Sequence, residues 1–196
     1  MVEGKTKSPF ALFGEWFSAA QVSESSLAEA MTLATATKNG IPSARMVLLK
    51  SFGEDGFVFY TNFESKKGLD LAENPKAALV FHWKSLKRQV RISGSVKPVS
   101  DEVADIYFAS RSRGAQIGAW ASDQSRPMAG QIELEKNIAS YTAKFGVSKI
   151  SRPPYWSGFC VVPKQIEFWE ERSFRLNRRV LYRLEKGDWL MSYLFP

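Results

Sequence analysis

The 196-residue sequence holds one cysteine, Cys160, and one histidine, His82. A lone thiol excludes an intrachain disulfide, and the pair together excludes a Cys/His zinc cluster; no metal site is expected. His82 stands in the apolar run ALVFHW and reads as a packed or rim residue, while Cys160 in GFCVV reads as a buried, inert thiol. Neither supports a histidine-based triad or a Cys–His pair. Also missing are a G-x-G-x-x-G turn after a strand, a P-loop and a G-x-S-x-G elbow. No run approaches the ~18 apolar residues of a membrane helix. The start, MVEGKTKSPF, lacks the apolar core of a secretory signal, so a reduced, cytoplasmic location is expected. If such a chain is an enzyme, its reactive centre is a bound cofactor.

Acid is also in short supply: 20 Asp and Glu face 27 Lys and Arg, for a net charge of +7. An excess of this sign suits an anionic partner, whether nucleic acid, a membrane surface or a phosphorylated small molecule. The basic residues are spaced rather than run together. Lys84, Lys87, Arg88 and Arg91 form one group and Arg172, Arg175, Arg178, Arg179 and Arg183 another, each interleaved with apolar residues. That is the pattern of folded strands carrying spaced charges. A hydrophobic share of 44% excludes wholesale disorder, and the length predicts one domain over residues 1–196, with residues 1–8 a flexible start.

Residues 9–20 place Phe10, Phe13, Trp16 and Phe17 at helical spacing. Strands are predicted over 31–37 and 43–50, joined at the hairpin signal Asn39-Gly40, and again over 56–61. Ser65 opens a short helix that stops near Asn74-Pro75. Strands follow over 77–83 and 89–99, then a helix from Ser100 to about Arg111, and a polar, peripheral helix over 129–145. The last third reads as four strands, 159–162, 165–169, 179–184 and 189–194. Many antiparallel strands with few helices predict a mainly β fold with peripheral helices, a closed or split barrel.

Three constellations suit an anionic ligand. In Arg45-Met46-Val47-Leu48-Leu49-Lys50 a cation stands at each end of a strand, five residues apart and so on opposite faces. Tyr60-Thr61 ends a strand in hydroxyls just before Ser65-Lys66-Lys67 begins a helix. Cations in a first helical turn oppose the dipole and call for an anion, unless they are simply a solvated pair. In Arg175-Leu176-Asn177-Arg178-Arg179 an extended backbone would put Arg175, Asn177 and Arg179 on one face beside Trp169. Tyr107 and Arg111, four apart on a predicted helix, share a face and can address one ligand, or form an ordinary exposed surface.

The wording and order of RMVLLK (45–50), FYTNFESKKG (59–68), RQVRISG (88–94), YFASR (107–111), QIGAWASDQS (116–125) and IEFWEERSFRLNRR (166–179) closely resemble the pyridoxine/pyridoxamine 5′-phosphate oxidase family, from about Pro9 to Pro196. The resemblance implies an FMN-binding split β-barrel that works as a homodimer with FMN at the subunit interface. It implies that FMN is held by Arg45, Met46, Leu48, Lys50, Tyr60, Thr61, Lys66, Lys67, Gln89, Gln124, Ser125, Trp169 and Arg179. The substrate side would be Lys50, Tyr107, Arg111, Ala115, Arg175 and Asn177, with Arg175 and Asn177 in the catalytic roles. The implied reaction oxidises the C4′ carbon of pyridoxine or pyridoxamine 5′-phosphate with O2, releasing H2O2. Neither nucleic acid nor membrane is an expected partner.

This chain departs from the family pattern in several places. Asn177 replaces the usual His of R-L-H-D-R and cannot titrate. Arg178 replaces its Asp, Ala115 replaces a common Ser, and the segment before Pro9 is short. The rival readings are a related split-barrel flavoprotein oxidising another ring system, as in phenazine biosynthesis, and a non-enzymatic FMN or pyridoxal phosphate carrier.

Overall fold

The computed structural model describes residues 8–196, so the expected flexible start falls, except for Ser8, outside the described residues. Ser8 caps the first helix, α1 (Pro9–Ser23): its hydroxyl accepts the Phe10 N–H at 3.3 Å, and Pro9 supplies the preset φ of the first helical position. The aromatic face of α1 fills the barrel. Phe13 is fully buried, with the rings of Phe17, Phe52, Phe57, Phe81 and Trp83 at centroid distances of 4.7–6.0 Å.

Nine strands form one antiparallel sheet. β1 (Ala30–Ala36) and β2 (Pro42–Leu48) make the predicted hairpin, with Gly40 at φ +82°, a left-handed turn position that glycine takes without strain. β3 (Ser51–Gly53) and β4 (Gly56–Asn62) lead into α2 (Lys66–Glu73), then β5 (Lys76–Trp83) and β6 (Arg88–Pro98). Three helices follow: α3 (Asp101–Ser110), α4 (Arg113–Ala121) and α5 (Gln131–Phe145). The chain ends in β7 (Trp156–Glu170), β8 (Arg178–Glu185) and β9 (Asp188–Leu194). As expected, α5 buries no residue.

Two predicted strands, 159–162 and 165–169, are one. β7 runs for 15 residues and pairs with β6 along its length, with a register shift between Ser93 and Gly94. Gly94 lies opposite Pro163, so the residue without an N–H falls at the irregularity, where a proline is tolerated inside a sheet. On its other edge β7 pairs first with β4, over 156–161, and then with β8, over 165–170. The sheet therefore forks at the bulge, and the fork is the split of the barrel. The helix α4 was not expected; its sequence RGAQIGAWA holds two glycines and no run of large apolar residues.

The core depends most on Phe13. Phe13→Ala is expected to lower the unfolding free energy by about 3–5 kcal/mol, read as a lower urea midpoint at unchanged slope. Val22→Ala, at a site 88% exposed on the same helix, should stay within about 0.5 kcal/mol of the parent.

Candidate active site

β4 leaves the core at its C-terminal end. Phe57 and Phe59 go to the core, while Tyr60 and the buried Thr61 reach a cleft of about 610 Å³ at the barrel's end. Met46, Leu48 and Lys50 approach the cleft from β2 and the residues just after it, Lys67 from α2, Tyr107 and Arg111 from α3, and Gln124 from the segment after α4. Five segments distant in sequence thus converge, including many of the residues expected to bind an anionic ligand.

At the base of the cleft Lys67 is 8% exposed, and its ammonium donates to Gln124 Oε1 at 2.8 Å, Ser65 Oγ at 3.1 Å and Thr61 Oγ1 at 3.2 Å. All three acceptors are neutral. Burial, and secondarily the nearby Arg45 guanidinium, pull the Lys67 pKa down to about 8. The cap of α2 explains the placement. Ser65 Oγ accepts the Gly68 N–H at 3.4 Å, which points the first turn, with Lys67, at the cleft. Lys66 and Arg45 face away from it. Lys66 pairs with Asp70, and Arg45 donates to Thr35 Oγ1 at 2.8 Å, Ser43 Oγ at 2.6 Å and Leu33 O at 3.3 Å, with Asp70 at 4.0 Å. Both stand behind Lys67 as fixed positive charge.

The opposite wall is aromatic. Tyr60 stacks on Tyr107 at 3.9 Å and on Trp156 at 5.3 Å, with interplanar angles of 16° and 10°. Arg111 lies over Trp156 at 4.7 Å, and its buried Nη1 has no hydrogen-bond partner among the described residues. A buried, unpartnered guanidinium N–H costs free energy, so this site fits an acceptor supplied from outside. Burial draws the Arg111 pKa below its ordinary value. Arg152 fixes the helix that carries the pair. It donates to Asp105 at 2.5 Å and Asp101 at 2.7 Å on α3, and to Trp156 O at 2.8 Å on β7.

The face of α4 that lines the cleft is small: Ala115, Gly118, Ala119 and, just past its end, Ser122. A Cβ on Gly118 would meet nothing within 4 Å. Ala115 was expected here; Gly118, Ala119 and Ser122, with Asn62, Val47 and Trp156, were not, although the 115/118/119/122 spacing is a helical stripe that could have announced them.

The remaining expected residues lie elsewhere. Gln89, Trp169 and Arg179 stand in a row across β6, β7 and β8, paired in register. Trp169, Arg175 and Asn177 line a separate open groove of about 710 Å³ with Lys87, Glu171, Arg172 and Phe174. The extended backbone expected at 175–179 is not found. Ser173–Arg175 is a 3₁₀ turn with Phe174 at φ 59° and Arg175 at φ 62°, so the common face of Arg175, Asn177 and Arg179 is lost and only Arg179 enters β8. Ser125, at φ 73°, lines a smaller adjoining cavity with Gln124. Trp156 of the cleft and Trp169 of the groove are at opposite ends of β7, roughly 40 Å apart for a straight strand.

Of the two lone residues, Cys160 is buried as expected, whereas His82, expected packed or at a rim, is exposed on β5. Cys160 donates to Asp55 O at 3.2 Å and has its pKa raised by burial. Among the described residues no His/Cys/Asp/Glu group could hold a metal, and no helix is long and apolar enough to cross a membrane.

The donor set therefore fits two anionic groups in one cleft, one at Lys67 with Thr61 and Gln124 and one at Arg111 beside the stacked rings. Known proteins agree. Residues 19–145 match the family model described as pyridoxamine 5′-phosphate oxidase, and 156–196 match the pyridoxine 5′-phosphate oxidase C-terminal dimerisation region. A pyridoxine/pyridoxamine 5′-phosphate oxidase of Brucella canis is 55% identical over 190 residues, covering 96% of this chain and 94% of its own. PhzG from Burkholderia lata 383, solved in complex with tetrahydrophenazine-1-carboxylic acid, superposes with a TM-score of 0.93 at 30% identity, over 99% of this chain and 95% of that one. A pyridoxamine 5′-phosphate oxidase-related, FMN-binding protein of Nostoc punctiforme shares the fold, with a TM-score of 0.77 at 19% identity over 97% of this chain and all of its own. With both family models matched in order and the curated relatives aligned almost end to end, the chain belongs to the pyridoxamine 5′-phosphate oxidase family.

Proposed function

We propose that the protein is an FMN-dependent oxidase converting pyridoxamine or pyridoxine 5′-phosphate to pyridoxal 5′-phosphate. The observation that carries the reading is the pair of cations on one cleft, Lys67 without a carboxylate and Arg111 with a free Nη1. Each calls for an anion, and the cofactor and the substrate each bring a phosphate. When bound, FMN supplies the two-electron acceptor that O2 reoxidises. The amine reaction balances as substrate plus O2 plus H2O giving aldehyde, NH3 and H2O2.

In this reading Lys67, Thr61 and Gln124 bind the FMN phosphate, with Arg45, Lys66 and Ser125 around them. Met46, Leu48 and Tyr60 border the rest of the cofactor. Arg111, Tyr107 and Lys50 take the substrate phosphate, and Ala115 leaves them room. The aromatic stack under Arg111 holds its fork in one plane, so the substrate is oriented before reaction rather than during it.

The groove residues complete the site from the partner subunit. Trp156 and Trp169 stand at opposite ends of β7 and line different pockets of one chain, and a dimer can set one protomer's groove against the other's cleft. Gln89, Trp169 and Arg179 would then close over the cofactor, and Arg175 and Asn177 over the substrate ring. The matched dimerisation region, which contains Trp169, Arg175, Asn177 and Arg179, supports this arrangement.

A second reading is oxidation of a larger fused-ring carboxylate. It is favoured by the likeness to the phenazine-complexed structure and by the small-residue face of α4.

Protein reconstituted with FMN should be yellow, and pyridoxamine 5′-phosphate added without oxygen should bleach it. Colourless protein that cannot be reconstituted would defeat the cofactor assignment; bound flavin left unbleached would favour the fused-ring substrate or a carrier. Lys67→Met should weaken FMN binding about tenfold or more, while Arg111→Met should raise the KM for the phosphorylated substrate by a similar factor and spare FMN.

Lys67 also sets a pH dependence. Free, it is half neutral near pH 8. A bound phosphate dianion raises its pKa, so binding takes up protons at and above pH 8 and not below about pH 7, where Lys67 is already charged. FMN titrations by calorimetry in buffers of different ionisation heat should show that uptake, and affinity should fall as pH rises above 8. The Lys67→Met protein should show neither.

A further inference from the structure

Between β7 and β8 the chain makes a loop in which every residue from Glu171 to Leu176 is exposed and Asn177 alone is half-buried. Phe174 (φ 59°, ψ 22°) and Arg175 (φ 62°) are consecutive left-handed residues, a conformation that side chains with a Cβ disfavour. Such a pair persists only if the loop is closed around it.

The closure is specific. Arg172 N–H donates to Asn177 Oδ1 at 3.2 Å, Leu176 N–H donates to Ser173 O at 3.2 Å, and just ahead Glu171 N–H donates to Lys87 O at 3.0 Å. A backbone N–H can only donate, so the Asn177 carboxamide must turn its oxygen into the loop. Its NH2 is then left for the groove that Asn177 lines with Trp169 and Arg175.

We propose that Asn177 is the positioning residue for Arg175: a neutral clasp that holds the strained turn with its oxygen and offers the ligand a hydrogen-bond donor at every pH. This rests on the substrate role given above to Arg175. It also explains how Asn serves where a histidine is usual. A neutral imidazole would offer the same acceptor inward and N–H outward, but a protonated one has no acceptor and would release Arg172. An aspartate would keep the acceptor and lose the donor. The charged groups around the position are Lys87 beside β6, Glu170 and Glu171 at the end of β7, Arg172 and Arg175 in the loop, and Arg178 at the start of β8. The cations outnumber the acids there and would push a histidine toward its neutral form.

The test uses the full chain and two readouts. The first is the exchange protection of the Arg172 amide by NMR, measured without flavin. The second is the pH profile of kcat/KM for pyridoxamine 5′-phosphate in the flavin-loaded protein. Asn177→Ala should lose about tenfold or more of the Arg172 protection and raise KM with FMN affinity unchanged. Asn177→Asp should restore the protection but not KM. Asn177→His should match the parent at pH 8, then lose both protection and kcat/KM as pH falls through about 6.5 or somewhat below, where the parent's protection holds and its kcat/KM shows no step. Unchanged Arg172 protection in Asn177→Ala, or a His variant whose profile parallels the parent's, would overturn the proposal. If the parent binds no flavin, the functional reading falls, and the exchange measurement alone still decides the clasp.

Discussion

The site depends on how Asp70 is shared. This carboxylate is 3% exposed, and both of its oxygens are committed: Oδ1 to Lys66, Oδ2 to the Thr35 hydroxyl at 2.8 Å with Arg45 at 4.0 Å. Burial alone would raise its pKa. The hydrogen bonds from Lys66 and Thr35 and the charges of Lys66 and Arg45 outweigh that and hold it below the ordinary carboxylate range. One buried anion thus anchors two cations, and the third, Lys67, is left with neutral oxygens only. A second carboxylate there would quench the ammonium; without Asp70, three cations would face one another unpaired. The arrangement leaves a local positive excess pointed at the cleft, which an anionic ligand would neutralise.

Two groups of cations among the described residues differ in their partners. Along β7 and just past it, Glu167 pairs with Arg91 and Arg179, Glu170 with Arg88 and Arg172, and Glu171 with Lys87. These arginines have internal partners and contribute orientation: Arg179, held at Nε by Glu167 and at Nη1 by Phe195 O, is a fixed fork. Lys67 and Arg111, both on the cleft, have no carboxylate partner among the described residues, and Arg111 Nη1 has no hydrogen-bond partner there at all. Net charge alone cannot tell these two groups apart.

What the sequence made legible was local. Asn39-Gly40, the Ser65 and Ser100 caps, and the aromatic spacing of α1 each depend on residues within a turn or two, and each element stands where those signals put it. The convergence of Lys50, Thr61, Lys67, Tyr107 and Arg111 on one cleft was legible only through the family wording, because the contacts span tens of residues. Three things escaped. α4 has the glycines and small residues that a cleft wall needs, which weakens its helical signal. The union of two strands into β7 was hidden by Pro163, which looks like a break until Gly94 is seen opposite. The left-handed pair at Phe174 and Arg175 has no glycine to announce it; its cause is a hydrogen bond from Arg172 to Asn177.

The bulge at Gly94 ties these features together. A Cβ there would meet Val162 O at 2.0 Å, so the close approach of β6 and β7 requires glycine. Because side chains alternate with period two, a one-residue change of register inverts which face each later residue occupies. The bulge lies between the half of β7 that pairs with β4 and carries Trp156 and the half that pairs with β8 and carries Trp169. It lets one strand serve two surfaces with independent alternation. The same irregularity that splits the barrel thus fixes which side chains face the cleft at one end and the groove at the other. A single strand can then contribute Trp156 to one pocket and Trp169 to another.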